Sequence, residues 1–319
     1  VTAGFFGQTL EIAFSEILGY SPPIWLLTIV SSALILMTTL FGFKAIDRLS
    51  LFAVPLLVLF LIYVANLSLA SVSFSDLLDI PGNDPDYFST AVSTIIGSLI
   101  VGVVLMPDLS RYARNTKDCI TASILGNGLG NSFSMLIAVF PALATNLLDP
   151  MAYMIMLGVV FSAFIILVFA TWTTNSVNLY STTLAVAVIL PKLSEWKLMI
   201  FCGIFGTSMA VAGLADYFIT FLEWLGVIVP PIAGVYLTDY FLLKRTVFDL
   251  DSLEKVEDYD KAALVAWVAA TVISVLAFWF AVSMTGIASL DALLITIPLY
   301  LLCLKVWPTR FERTEGHSL

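Results

Sequence analysis

Phe169-Ala-Thr-Trp-Thr-Thr-Asn-Ser-Val-Asn-Leu-Tyr180 sits in a long apolar run, and its polar residues are not scattered. Thr171, Thr174, Asn175 and Asn178 fall at i, i+3, i+4 and i+7, one face of an α-helix. Thr173 and Tyr180 flank that face. A stripe of amides and hydroxyls in an apolar helix would not be turned to lipid. Interhelical hydrogen bonding is one use for it. An ion or ligand site is the other, because hydroxyls suit a small hard cation and an amide offers a donor and an acceptor together.

Working outward, the run containing this stripe is one of ten. A helix crossing the hydrocarbon core needs about 20 mostly apolar residues. Such segments fall at roughly 1–19, 23–43, 50–72, 88–107, 119–145, 152–178, 196–215, 217–243, 260–286 and 288–307. They are too long for barrel strands and lack two-residue alternation. The composition agrees: of 319 residues, 60% are hydrophobic and 12% charged. Soluble domains run near 45–50% and about 25%, so a soluble fold, a disordered chain and a coiled coil are all excluded. The expectation is an all-α polytopic membrane protein. A single transmembrane domain spans 1–319, with residues 308–319 as a tail.

Orientation follows from the basic residues. Lys44 and Arg48 lie between segments two and three; Arg111, Arg114 and Lys117 between four and five; Lys192 and Lys197 between six and seven. Lys244, Arg245, Lys255 and Lys261 lie between eight and nine, and Lys305, Arg310 and Arg313 flank the end. All 14 fall on one side. The first helix therefore enters from the cytoplasm and the C-terminus is cytoplasmic. Val1 opens the chain inside an apolar run with no charged region before it, so upstream sequence is expected rather than a signal peptide.

Several function classes drop out. The single histidine, His317, leaves no histidine-centred triad or metal site. Cys119, Cys202 and Cys303 are odd in number, far apart and inside apolar runs, which makes neither a zinc pattern nor a disulfide framework. A net charge of −9 argues against nucleic acid, which is met with a basic face. No enzyme is expected, no cofactor beyond a coupling ion, and no obligate protein partner. The lipid bilayer is the expected surroundings.

Other polar features lie within the apolar segments. Gly97-Ser98-Leu99-Ile-Val-Gly102 has glycines five apart, which either let the helix unwind to present backbone to a substrate or let it pack closely. Phe5-Phe6-Gly7-Gln8-Thr9 offers a stacking surface beside polar groups. Glu11 and Glu223 are acids within segments, candidates for proton coupling or for a pair with a neighbouring helix. Gly126-Asn-Gly-Leu-Gly130 suggests close packing, and Pro230-Pro231 should kink the eighth segment.

Five of these stretches together resemble a known family. Phe5-Phe6-Gly7 is similar to the Trp-Phe-Gly of cytosine permeases, and Met106-Pro-Asp-Leu-Ser-Arg-Tyr-Ala-Arg-Asn115 to their Asp-x-x-Arg-Phe-x-Arg-Asn signature. Leu129-Gly-Asn-Ser132, Trp172-Thr-Thr-Asn175 with Leu179-Tyr180, and Pro230-Pro-Ile-Ala-Gly234 with Thr238-Asp-Tyr240 follow in order. The chain thus resembles nucleobase–cation symporter family 1, in its cytosine/purine permease branch. The resemblance implies a leucine-transporter-like fold of inverted repeats, in which the ten segments are helices 3–12 of twelve.

It also implies a site. Ala170 through its carbonyl, and Thr173 and Thr174 through their hydroxyls, match the family's sodium ligands. Asn175 matches the amide that bonds the nucleobase edge, and Phe5 the ring that stacks on it. Gly97 and Ser98 precede the position that stacks on the other face. That position is Leu99 here, where cytosine permeases carry an aromatic, which leaves room for another heterocycle. The expected function is a symporter importing a nucleobase-like heterocycle such as cytosine, coupled to sodium or protons. A same-fold transporter of amino acids or another small solute stays open, as does a non-transporting scaffold.

Overall fold

The computed structural model describes residues 2–80, 86–147, 150–243 and 259–307. The predicted tail at 308–319, and Lys244, Arg245 and Lys255 of the longest basic loop, lie outside them. Every described element is helical. In chain order they are α1 (Thr2–Leu18), α2 (Ile24–Leu40), α3 (Phe43–Ser71), α4 (Phe74–Leu78), α5 (Asp86–Val104), α6 (Met106–Ser110), α7 (Thr116–Ser123) and α8 (Asn131–Thr145). There follow α9 (Pro150–Met156), α10 (Val160–Ile189), α11 (Glu195–Val211), α12 (Phe218–Ile228), α13 (Pro230–Leu237), α14 (Lys261–Trp279) and α15 (Ala288–Val306). A π-helical stretch, Ile124–Gly130, fuses α7 to α8, and a second, Thr238–Leu242, extends α13.

Among the described residues, six helical stretches are long and apolar enough to cross a membrane. Their outward faces carry large apolar side chains, such as Leu51 at 70% and Val188 at 83% exposure. In water such surface would be a liability; in hydrocarbon it is what the solvent requires, with backbone polarity satisfied inside each helix.

Local chemistry sets the boundaries, and several differ from those read off hydropathy. The third segment begins at Phe43 rather than near 50, since Lys44 and Arg48 prolong a helix as well as they end an apolar run. The sixth segment, expected over 152–178, is two helices. Gly158 in the left-handed region (φ +74°) separates α9 from α10, which then runs on to Ile189. The expected kink at Pro230-Pro231 is a boundary, where α12 ends at Ile228 and Pro230 opens α13. Residues 280–287 are loop instead of helix. The Asp291 carboxylate gathers them, accepting from Ser283 Oγ, from Thr285 Oγ1 and from the backbone N–H of Met284 and Thr285.

The chain forms two compact units: 1–81 with 108–218, and 82–107 with 219–319. In the first, α1 packs along α2 and α10, and α3 along α8 and α10. Its core joins Ala13 of α1, Phe60 and Val64 of α3, Met151 and Met154 of α9, and Ala163 of α10. In the second, α14 buries Ala262, Ala266 and Ala270, a four-residue repeat of small side chains along which α15 lies. Tyr300 of α15 is fully buried and donates to Asp239 Oδ1 at 2.9 Å.

Candidate functional site

Within the first unit, α1 and α10 lie side by side, and one turn of each carries the polar chemistry. Thr2 and Phe5 are one turn apart on α1, as are Thr171 and Asn175 on α10. Together with Ala170, Thr174 and Phe218 they line a cavity of about 180 Å³. The Phe218 ring meets Phe5 edge to face, 4.8 Å between centroids at 75°. An aromatic wall therefore stands beside an amide and several hydroxyls.

Asn175, 6% exposed, is held at both ends of its amide. Its Nδ2 donates to the Thr171 carbonyl at 2.7 Å, and its Oδ1 accepts from Thr2 Oγ1 at 2.6 Å. A primary amide has two donor hydrogens and two acceptor lone pairs. One of each is used by these contacts, which leaves one N–H and one lone pair for a ligand.

The expected sodium ligands divide. Ala170 and Thr174 stand on the cavity wall. Thr173 lies about 100° round the helix from Thr174 and about 60° from Ala170 and is buried, its hydroxyl donating to the carbonyls of Phe169 at 2.9 Å and Ala170 at 3.0 Å. The donors are neutral oxygens suited to a small hard cation, and the Thr173 hydroxyl keeps lone pairs free when its proton lies on a carbonyl. Asn178, last of the four-residue stripe, is exposed.

Glu11 is half-buried on α1 and accepts from Ser21 Oγ in the turn before α2. That bond ties it toward the helix end, about 9 Å along the axis from Phe5. Arg111 donates to Tyr112 Oη and Tyr180 Oη, both at 3.1 Å, so the family-like loop is fastened to α10. The bond to Tyr112 is the largest cause holding the Arg111 guanidinium above its ordinary pKa.

Gly97, Ser98, Leu99 and Glu223 belong to the second unit. Gly97 is buried where the backbone of α12 crosses: a Cβ there would meet the Leu222 carbonyl group and come within 3.0 Å of Gly226 N. The helix does not unwind between Gly97 and Gly102, as one use of the spacing required; α5 is continuous to Val104. Close packing is the role the backbone shows for Gly97. Ser98 is exposed and bonds back to the Ile95 carbonyl at 2.7 Å, Leu99 is half-buried, and Glu223 is half-buried on α12.

Two cavity residues escaped the sequence reading. Thr2 is an isolated hydroxyl with no motif around it, and Phe218 one of 23 phenylalanines. Only a pairing of α1 with α10 would have marked either.

Comparison with known proteins decides the family. The model for permeases for cytosine/purines, uracil, thiamine and allantoin matches residues 3–295. The chain belongs to this permease family. Cytosine permease of Escherichia coli (strain K12) is 32% identical over 222 residues, covering 69% of this chain and 52% of that protein. Hydantoin permease of Microbacterium maritypicum is 28% identical over 329 residues, covering 93% of this chain and 65% of the relative. The chain spans about half the length of the cytosine permeases it matches.

Among solved structures, the inward-facing conformation of Mhp1 superposes with a TM-score of 0.72 at 22% identity, over 95% of this chain and 72% of that one. Mhp1, a nucleobase-cation-symport-1 family transporter, in a closed conformation with bromovinylhydantoin bound gives 0.72 at 23%, over 96% and 75%. The fold is thus that of Mhp1, the leucine-transporter-like arrangement the motifs implied, and the chain is a multi-pass membrane protein.

Proposed function

We propose that the protein is a secondary transporter that imports a nucleobase-like heterocycle across the cell membrane by alternating access, with its C-terminus in the cytoplasm. The observation that carries this reading is the cavity of the first unit, where Phe5 supplies an aromatic face and Asn175 an amide edge. A flat heterocycle needs both: stacking is worth about 1–3 kcal/mol per ring, and the amide pairs with a ring edge carrying an acceptor beside a donor. The relatives named for cytosine and for hydantoin fit the same requirement.

Sodium is the favoured coupling ion, supported by the oxygen donors of Ala170, Thr173 and Thr174. Glu11 and Glu223 are the groups a proton would use instead. The test is uptake of labelled cytosine, uracil and hydantoin into proteoliposomes holding the full-length protein, under an imposed sodium gradient, a proton gradient or neither. Concentrative uptake of at least one heterocycle that collapses without the sodium gradient is expected. Uptake of none of them, or uptake indifferent to both gradients, would overturn the reading.

A further inference from the structure

The Asn175 amide is held from two sides, by its own helix and by α1. The Thr171 carbonyl can only accept a hydrogen bond, so the nitrogen of the Asn175 amide must face it, and the 2.7 Å contact fixes which end is which. Oδ1 is thereby turned toward Thr2, whose hydroxyl donates to it at 2.6 Å across the α1–α10 seam. Asn175 is 6% exposed, so without Thr2 its oxygen would lose a partner that water cannot readily replace. Thr2 itself stands on the cavity wall one turn before Phe5.

We infer that Thr2 is a positioning residue for the substrate. It holds the Asn175 amide so that one N–H and one oxygen lone pair meet the ligand's edge in a fixed order, while Phe5 takes the ring face. The inference rests on the proposed heterocycle site. It adds that the order of donor and acceptor along that edge, selected by the Thr171 carbonyl of α10, is held in place from across the seam by a residue of α1. A ligand presenting an acceptor beside a donor, the pattern of a ring –CO–NH– unit, fits the fixed amide. An N-methylated ring that lacks the donor does not. Free rotation of the amide would blur that distinction.

Equilibrium binding of cytosine, hydantoin and 1,3-dimethylhydantoin, in which both ring N–H donors are methylated, to the purified full-length protein tests this with four variants: Thr2→Val, Thr2→Ser, Asn175→Ala and the Thr2→Val/Asn175→Ala double. Thr2→Val should weaken binding of the unmethylated ligands about tenfold, the usual scale for stranding a buried polar group, and narrow their advantage over the methylated one. Thr2→Ser, which keeps the hydroxyl, should restore both. In the Asn175→Ala background Thr2→Val should change nothing further, because its effect passes through Asn175. Unchanged affinity and selectivity in Thr2→Val would overturn the inference while leaving the heterocycle site standing, provided Asn175→Ala still weakens binding. An equal loss with and without Asn175 would also overturn it. Absence of binding by the unsubstituted protein would overturn the proposed function and this inference with it.

Discussion

Two helix pairs, one in each unit, meet in opposite ways. In the first unit α1 faces α10 across side chains: Thr2 meets Asn175 at 2.6 Å, and beside that contact Phe5, Thr171 and Thr174 line a cavity of about 180 Å³. In the second unit α5 meets α12 across backbone: Gly97 lies against Leu222, and a Cβ on Gly226 would come within 2.7 Å of the Ser93 carbonyl oxygen. Small residues in one place abolish space, and polar residues in the other line it. Residue type in an apolar segment therefore does not announce function; what faces it decides.

Filling the closed contact should have the largest effect. Gly97→Val drives a branched side chain into the backbone of α12, which cannot rotate away, and should destabilise the fold by about 3 kcal/mol. The measurement is the thermal midpoint of the purified protein in detergent; an unchanged midpoint would mean that α5 and α12 do not meet as described. Next comes the aromatic wall. Phe5→Leu keeps apolar bulk but removes the ring face, and should weaken heterocycle binding about tenfold, the lower part of the stacking range, with the midpoint preserved. A lowered midpoint with unaltered affinity would make Phe5 a packing residue like Gly97. The smallest effect belongs to Gly102, five residues beyond Gly97 on the same helix, where a Cβ would meet nothing within 4 Å. Gly102→Ala should leave stability within about 1 kcal/mol, or raise it through helix propensity. A loss as large as that of Gly97→Val would remove the distinction between the two glycines.

Much of the fold was legible because a membrane imposes few solutions. The apolar segments and the Pro230 break could be read from hydropathy and ring chemistry alone. The division at Gly158 could not. It lies within an apolar run, and only a positive φ separates α9 from α10. Likewise the spacing of Thr171, Thr174 and Asn175 marked a polar face, and the structure puts all three on one cavity. The partner across it was invisible: Thr2 is 173 residues away in sequence, and a single threonine carries no pattern. Gly97 shows the reverse failure, since glycines five apart read equally as a break or as a close contact. Local sequence describes one side of an interface, whereas a site needs both.

The central claim is that the Asn175 amide, on the wall shared with Phe5, is where a heterocycle binds. Its most direct test is a saturation isotherm for labelled cytosine and for labelled hydantoin on the full-length protein, unsubstituted and as Asn175→Ala, with thermal midpoints recorded on the same samples. Saturable binding of at least one ligand to the unsubstituted protein is expected. Asn175→Ala should weaken this binding about 10- to 100-fold, with the thermal midpoint lowered by only a few degrees. Equal affinity in the two proteins would contradict that claim.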